Sequence, residues 1–325
     1  MMLNNNNNNQ FFMQAIIPYF PTIQLTLPMP DFMGGNDLIF HGFGLALGIG
    51  LIYGSIVTIN RAERQGLDYK TFRELFFWLV FGIIIGGKIG FALFYYPQEH
   101  WENPALLLKL GSGLSSFGGF ITCAIAFFLV LRRRNKPILP YADNVIYGFS
   151  FGWMFGRLGC TLNHEHPGTA SDFWLARFCR PVEGWTLELP DWLIAKPTDF
   201  RFSHCIEEGK AAVTSFSDKV PVDYPGVTAV NDMGLYEMLY AVVLYTTLRI
   251  LDRKPRPDGL YFLIMIYTYT PIRFTMDFMR PLEGNARYLG LTPAQWGCIG
   301  FLTITSLVII RYREHFSFKL KASPT

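Results

Sequence analysis

Long apolar runs alternate with short polar connectors along most of the chain. A helix that crosses the hydrocarbon core of a bilayer needs about 20 mostly apolar residues. Seven stretches approach that length: Leu38–Thr58, Glu74–Tyr96, Leu114–Leu131, Asp143–Cys160, Met233–Leu251, Gly259–Met279 and Thr292–Ile310. The fourth carries Arg157 and several glycines and is expected to be the weakest, stopping short of a full span. One connector is unlike the others. The segment from Asn163 to Asp232 has Pro, Gly, Trp and mixed charges but no long apolar run. It is too long for a simple loop, so a small head or ordered cap is expected there. The pattern predicts an all-α polytopic membrane protein with about seven transmembrane helices and an extracytoplasmic head segment. The expected order is an extracytoplasmic N-terminal segment (1–37), helices one to four (38–162), the head (163–232), helices five to seven (233–310) and a cytoplasmic tail (311–325). No internal repeat is visible, which speaks against a transporter built from inverted repeats.

Charge orients these spans. With the N-terminus outside, the inside connectors hold Arg61, Arg64, Lys70 and Arg73, then Arg132, Arg133, Arg134 and Lys136. The next inside group is Arg249, Arg253, Lys254 and Arg256, and the tail adds Arg311, Arg313, Lys319 and Lys321. The short outside connectors hold only Lys109, Arg280 and Arg287. Cations favour the cytoplasmic face, so the alternation predicts N-outside, C-inside.

Composition agrees. Half of the residues are hydrophobic and 16% are charged, against about a quarter charged in a soluble domain. The opening MMLNNNNNNQ is low-complexity and lacks the basic and apolar regions of a signal peptide. Five cysteines are present without a C-x-x-C spacing, so no zinc or redox motif is expected. Cys179 and Cys205 share the long polar segment, where a disulfide and two free thiols are both open readings.

Ionisable groups inside a span cost several kcal/mol unless paired or wetted, and they mark candidate sites. Lys88, Arg157 and Arg273 are such groups. In YTYTPIRFTMDFMR, Tyr269, Arg273, Asp277 and Arg280 recur at helical spacing, so they share one face and Arg273 can pair with Asp277. Arg is suited to hold a phosphate through two parallel hydrogen bonds. In FGRLGCTLNHEHPG, Arg157 is followed by Asn163, His164, Glu165, His166 and Gly168. That cluster is a candidate acid–base site. No metal is expected, because consecutive His-Glu-His side chains do not converge on one ion. Gly118 and Gly119, with neighbouring glycines and serines, form a small-residue surface for helix packing or for close approach of a lipid headgroup.

Taken together these motifs resemble prolipoprotein diacylglyceryl transferases. The family's Gly-Arg-x-Gly…Asn-x-Glu signature is met by Gly156, Arg157, Gly159, Asn163 and Glu165, with Gly168 after it. Its later Tyr-x-x-x-Arg-Phe-x-x-Glu-x-x-Arg run is met by Tyr269, Arg273, Phe274, Asp277 and Arg280, with Asp in place of Glu. Leu235, Tyr236 and Glu237 match a Leu-Tyr-Glu element, and Asp143 lies at the family's spacing before the signature. Pro18-Tyr19-Phe20-Pro21 and Gly86-Gly87-Lys88 resemble two further elements. Three positions depart: Phe117 stands for the usual His, Gly42-Phe43-Gly44 for Trp-Tyr-Gly, and Cys160 for the signature Asn.

The resemblance implies transfer of the diacylglyceryl group of phosphatidylglycerol to the lipobox cysteine of a prolipoprotein, with release of glycerol phosphate. The implied partners are phosphatidylglycerol, a prolipoprotein lipobox peptide and membrane lipid; no nucleic acid and no cofactor are expected. The implied location is the bacterial cytoplasmic (inner) membrane. Arg157 and Arg273 would hold the phosphate, Glu165 and Asp277 would orient them, and His164 or His166 would assist the thiol, with His41 a further candidate. Asn163, Gly168, Tyr269, Arg280, Glu237, Asp143, Gly118 and Gly119 would line the substrate. A related transferase with another acceptor, and a non-catalytic lipid-binding or transport protein on the same scaffold, stay open.

Overall fold

In a computed structural model the described residues are 16–18, 20, 23–27, 38–94, 96–108, 115–164, 166–171, 173–178, 187–190, 193, 229–280 and 287–311. The expectations for Glu165, Cys179, Cys205 and most of the head segment lie outside them.

Strands β1 (Gln24–Leu27) and β2 (Leu38–His41) form an antiparallel hairpin. Helices follow as α1 (Gly42–Arg64), α2 (Tyr69–Phe94), the short α3 (Pro97–Glu102), α4 (Ser116–Arg133) and α5 (Ile138–Leu162). Strands β3 (Pro167–Ala170), β4 (Arg177–Phe178) and β5 (Ala229–Asp232) come next, then α6 (Met233–Leu251), α7 (Leu260–Met276) and α8 (Pro293–Arg311). The protein is thus mostly helical. Among the described residues, four helices, α1, α2, α6 and α8, are long and apolar enough to cross a membrane.

Two expectations about the helices change. The helix of the fourth predicted span is longer than expected, since α5 runs for 25 residues, past both predicted ends, although it is not one of these four. Its glycines serve helix packing, since a Cβ at Gly148 would collide with Thr58, and one at Gly159 would lie 3.0 Å from Phe43 Cα. The sixth predicted span ends earlier. After Met276 the chain tightens into a 3-10 turn, Asp277–Met279, so Arg280 leaves the helical face that carries Tyr269 and Arg273.

Burial is inverted relative to a water-soluble fold. The apolar side chains of Ile52, Phe77, Leu93, Val243 and Ile304 are each at least 60% exposed, whereas Asn144, Ser150, Glu237 and Gln295 are fully buried. With hydrocarbon as solvent, apolar groups face outward without penalty. Close packing and interior hydrogen bonds then hold the helices together.

The chain divides into two compact units. Unit 1 comprises Met1–Gly50, Met154–Leu239 and Met279–Gly284; unit 2 comprises Leu51–Trp153, Tyr240–Phe278 and Asn285–Thr325. In unit 1 the three strands form a sheet in the order β3-β5-β4, antiparallel throughout, with Ala176, Phe178 and Ala229 as a small core. The sheet ties the turn after α5 to the start of α6. In unit 2, Ala62, Phe72, Leu75, Val130, Leu131 and Tyr141 form an apolar cluster. There α2 and α4 meet backbone to backbone: a Cβ at Gly118 would lie 2.7 Å from Gly90 Cα, and Thr122 Oγ1 donates to Gly82 O at 2.6 Å.

Unit 2 also buries a charged knot. Arg61 Nε donates to Asp252 Oδ1 at 2.9 Å and its Nη1 to Asn144 Oδ1 at 3.0 Å. Its guanidinium lies between the rings of Tyr147 and Tyr261, 5.0 and 4.8 Å from their centroids. Nearby, Asp143 accepts from Gly259 N (2.7 Å) and Phe262 N (3.0 Å) at the start of α7.

Candidate active site

In unit 1 the site is built on the last turns of α5 and the first turns of α6. Arg157 points its Nη2 at Glu237 Oε2, 2.6 Å away. Glu237 is fully buried and the Arg157 side chain is 17% exposed. Such a pair persists because each charge neutralises the other where water is scarce. The Arg157 Nη1 lies 3.9 Å from Cys160 Sγ, one turn on. Guanidinium carries five donors in a planar fork, so Glu237 occupies one side and fixes the plane of the rest.

The turn after α5 holds the next candidates. Asn163 Oδ1 accepts from Phe43 N at 3.2 Å, so this side chain caps α1. His164 and His166 both adopt left-handed backbone (φ 55° and 58°). That conformation is uncommon outside glycine and tends to collect at functional sites. The two histidines diverge: His164 is buried, its ring 4.8 Å from that of Phe20, and His166 is exposed. Gly168 serves the sheet, because a Cβ there would sit 2.7 Å from Asn231 Cβ and 2.8 Å from Met279 O.

Unit 2 carries the second cation. Arg273 Nη1 bonds Asp277 Oδ1 at 2.5 Å, the pairing that their four-residue spacing predicts. Asp277 also accepts from Thr292 Oγ1, and Gln295 Nε2 donates to Phe274 O at 3.1 Å. Side chains at the start of α8 therefore lock the end of α7. Tyr269 packs edge-on against Trp153, centroids 4.6 Å apart, and beside Tyr240. Arg280, which belongs to unit 1, is half-buried.

Three residues expected to line the substrate, Asp143, Gly118 and Gly119, make packing contacts. Both oxygens of Asp143 are engaged by backbone amides of α7, so it anchors a helix end. Gly118 is filled by the α2 backbone, and Gly119 faces Ile83 at ordinary contact distance. No group of three or more His, Cys, Asp or Glu suited to a metal occurs among the described residues.

A family model described as prolipoprotein diacylglyceryl transferase matches residues 33–311. The chain belongs to that family. It is 27% identical over 277 residues to a phosphatidylglycerol–prolipoprotein diacylglyceryl transferase of Burkholderia cenocepacia (strain HI2424), covering 80% of this chain and 86% of the relative. A relative of the same name from Paraburkholderia phytofirmans is 28% identical over 262 residues, 77% and 80% of the two chains. One from Salmonella choleraesuis is 27% identical over 273 residues, 81% and 86%.

Within this transferase family the departures acquire physical surroundings. Phe117 packs beside Phe94, centroids 5.4 Å apart, and against Gly297, so an aromatic filler occupies that position. Phe43 lends its backbone amide to Asn163, and Cys160 is buried beside Arg157. His41 ends β2 and is exposed.

Sequence reasoning did not foresee three features. Glu237, expected beside the substrate, forms an ion pair with Arg157. Thr292 bonds Asp277 across 15 residues of sequence, and Gln295 bonds the Phe274 carbonyl across 21. Arg177 and Asp232 form a fully buried ion pair at 2.9 Å. Two of these carried local signals: Thr292-Pro293-Ala294-Gln295 has the Thr-x-x-Gln pattern of a capping box, and Asp232 directly precedes an apolar run, which reads as a helix N-cap. Asp232 Oδ1 does accept from Leu235 N at 3.0 Å.

Proposed function

We propose that this membrane protein transfers the diacylglyceryl group of phosphatidylglycerol to the cysteine thiol of a prolipoprotein lipobox, with Arg157 as the cation that grips the phosphate. The thiol sulfur forms a bond to the glyceryl carbon as the carbon–oxygen bond to phosphate breaks. The thiol proton passes to a base, and glycerol phosphate leaves with the electron pair. Negative charge grows on the leaving phosphate, so a fixed guanidinium stabilises the transition state more than the ground state. The observation that carries the reading is the Arg157–Glu237 pair, a cation held by a fully buried carboxylate.

His164 is the proton acceptor in this reading, since an imidazole nitrogen is suited to general-base work. Glu165 lies beside it in sequence and assists. Arg273, fixed by Asp277, is a second cation of the type that binds phosphate. All seven long helices cross the membrane, with α4, α5 and α7 completing the set. The N-terminus and the segment between α5 and α6 face outside, the tail faces the cytoplasm, and the membrane is the bacterial inner membrane. No cofactor takes part.

The test uses full-length protein purified in detergent with phosphatidylglycerol and a lipobox peptide. Lipidated peptide and glycerol phosphate are expected in equal amounts, with loss of both in Arg157→Ala. Full activity in Arg157→Ala overturns the assignment of Arg157. Phe117 in place of an imidazole favours one second reading, a transferase with a different acceptor. That reading predicts turnover of phosphatidylglycerol on another thiol or hydroxyl compound while the lipobox peptide stays unmodified.

A further inference from the structure

The least expected feature of unit 1 is the Arg177–Asp232 pair, because both side chains are about as buried as side chains become, at 1% exposure each. Replacing such a pair with well-packed apolar residues is often neutral or stabilising, so stability alone is a poor reason for it. Its geometry is more informative. Asp232 Oδ2 accepts from Arg177 Nε at 2.9 Å. Asp232 Oδ1 accepts from Leu235 N in the first turn of α6 and lies 3.4 Å from Thr161 Oγ1 at the end of α5. Leu235 lies two residues before Glu237, and Thr161 lies four residues after Arg157, one helical turn on. One carboxylate thus holds both helices within a turn of the Arg157–Glu237 pair. The helices approach closely there, since a Cβ at Gly234 would lie 2.9 Å from Thr161 Oγ1 and 3.1 Å from Cys160 Cβ. Arg177 is held in turn by β4, whose Phe178 N donates to Ile17 O, and its guanidinium faces Phe20 at 5.9 Å.

We infer that Arg177 and Asp232 are positioning residues for Arg157: the buried pair fixes the spacing and rotation of α5 and α6, and so the plane in which Glu237 holds the guanidinium. This rests on the reading of Arg157 as the phosphate cation. Arg177 donates to one oxygen of Asp232, and the other oxygen accepts from the α6 amide and the α5 hydroxyl together. Neither residue touches the substrate. Their effect is on kinetics through the aim of Arg157.

The experiment is a double-mutant cycle in the full-length protein, with kcat and KM for phosphatidylglycerol measured in detergent. Asp232→Asn keeps a helix cap and removes the charge. It is expected to lower kcat/KM by about tenfold, as small misplacements of a reacting group do. Combined with Glu237→Gln it is expected to add less than about threefold, because both act on one guanidinium. Thr161→Val, which removes only the α5 contact and leaves the cap, is expected to lower kcat/KM by a few-fold at unchanged melting temperature. A purely structural pair would lower the melting temperature and leave kcat/KM of the folded enzyme at the wild-type value. Additive losses in the double variant, or wild-type kinetics in folded Asp232→Asn and Thr161→Val, overturn the inference. Activity surviving Arg157→Ala overturns the underlying assignment instead, so the two failures are distinct.

Discussion

Glu237→Gln tests the local physics most directly. Gln keeps the length and one acceptor oxygen of Glu but removes the charge. A hydrogen bond to an ionised group contributes about 1.5–3 kcal/mol, and a neutral one about 0.5–1.5. The Arg157 side chain is 17% exposed, so solvent weakens the difference and the lower end applies. A loss of about 1–1.5 kcal/mol in the placement of Arg157 corresponds to roughly a tenfold fall in kcat. Glu237→Ala leaves the guanidinium with no carboxylate at 2.6 Å. Removing one partner of a buried pair costs about 3–5 kcal/mol, so a fall of about a hundredfold or more is expected, with lower yield of folded protein. The assay follows transfer to a fluorescent lipobox peptide over a range of phosphatidylglycerol concentrations, with thermal melting in the same detergent. The reasoning fails if Glu237→Gln melts normally and keeps wild-type kcat, or if the Gln and Ala variants lose equal activity.

Three further outcomes follow from other parts of the fold. Asp252→Ala strips the carboxylate from the buried Arg61 and should destabilise the protein by about 3–5 kcal/mol, read as a lower melting temperature with unchanged kcat in the surviving fraction. Gly118→Ala forces a methyl group against the α2 backbone at Gly86 and Gly90; overpacking of this kind costs about 1–3 kcal/mol, and a melting temperature at or above wild type would refute the close-packing account. Asp68, in the loop before α2, is held below its ordinary carboxyl pKa by a side-chain hydrogen bond from Lys136, then by Thr71. Its folded pKa is depressed, so its stabilising contribution is present above the ordinary value of 3.8 and is lost as pH falls below it. The group is partly exposed, so the effect is small; Asp68→Asn should reduce the melting temperature slightly at pH 6, with the difference from wild type shrinking as pH falls below 3.8.

The sequence by itself determined the helical character, the approximate position of every long helix and the family. Those properties are written in local terms: runs of apolar residues, the sign of the connectors, and short motifs such as Gly156-Arg157. It also determined the Arg273–Asp277 pair, because a four-residue spacing on a helix brings two side chains together whatever surrounds them. Tertiary structure decided the partners that lie far apart in sequence. Glu237 meets Arg157 across 80 positions and Arg177 meets Asp232 across 55; no periodicity encodes either, since each depends on how the sheet β3-β5-β4 seats α6 against the end of α5. Packing likewise assigned Asp143 to the start of α7, Asn163 to the start of α1 and Gly118 to the α2 backbone. A motif states which residue types are retained together, and only the fold separates those that face a substrate from those that hold the helices in place.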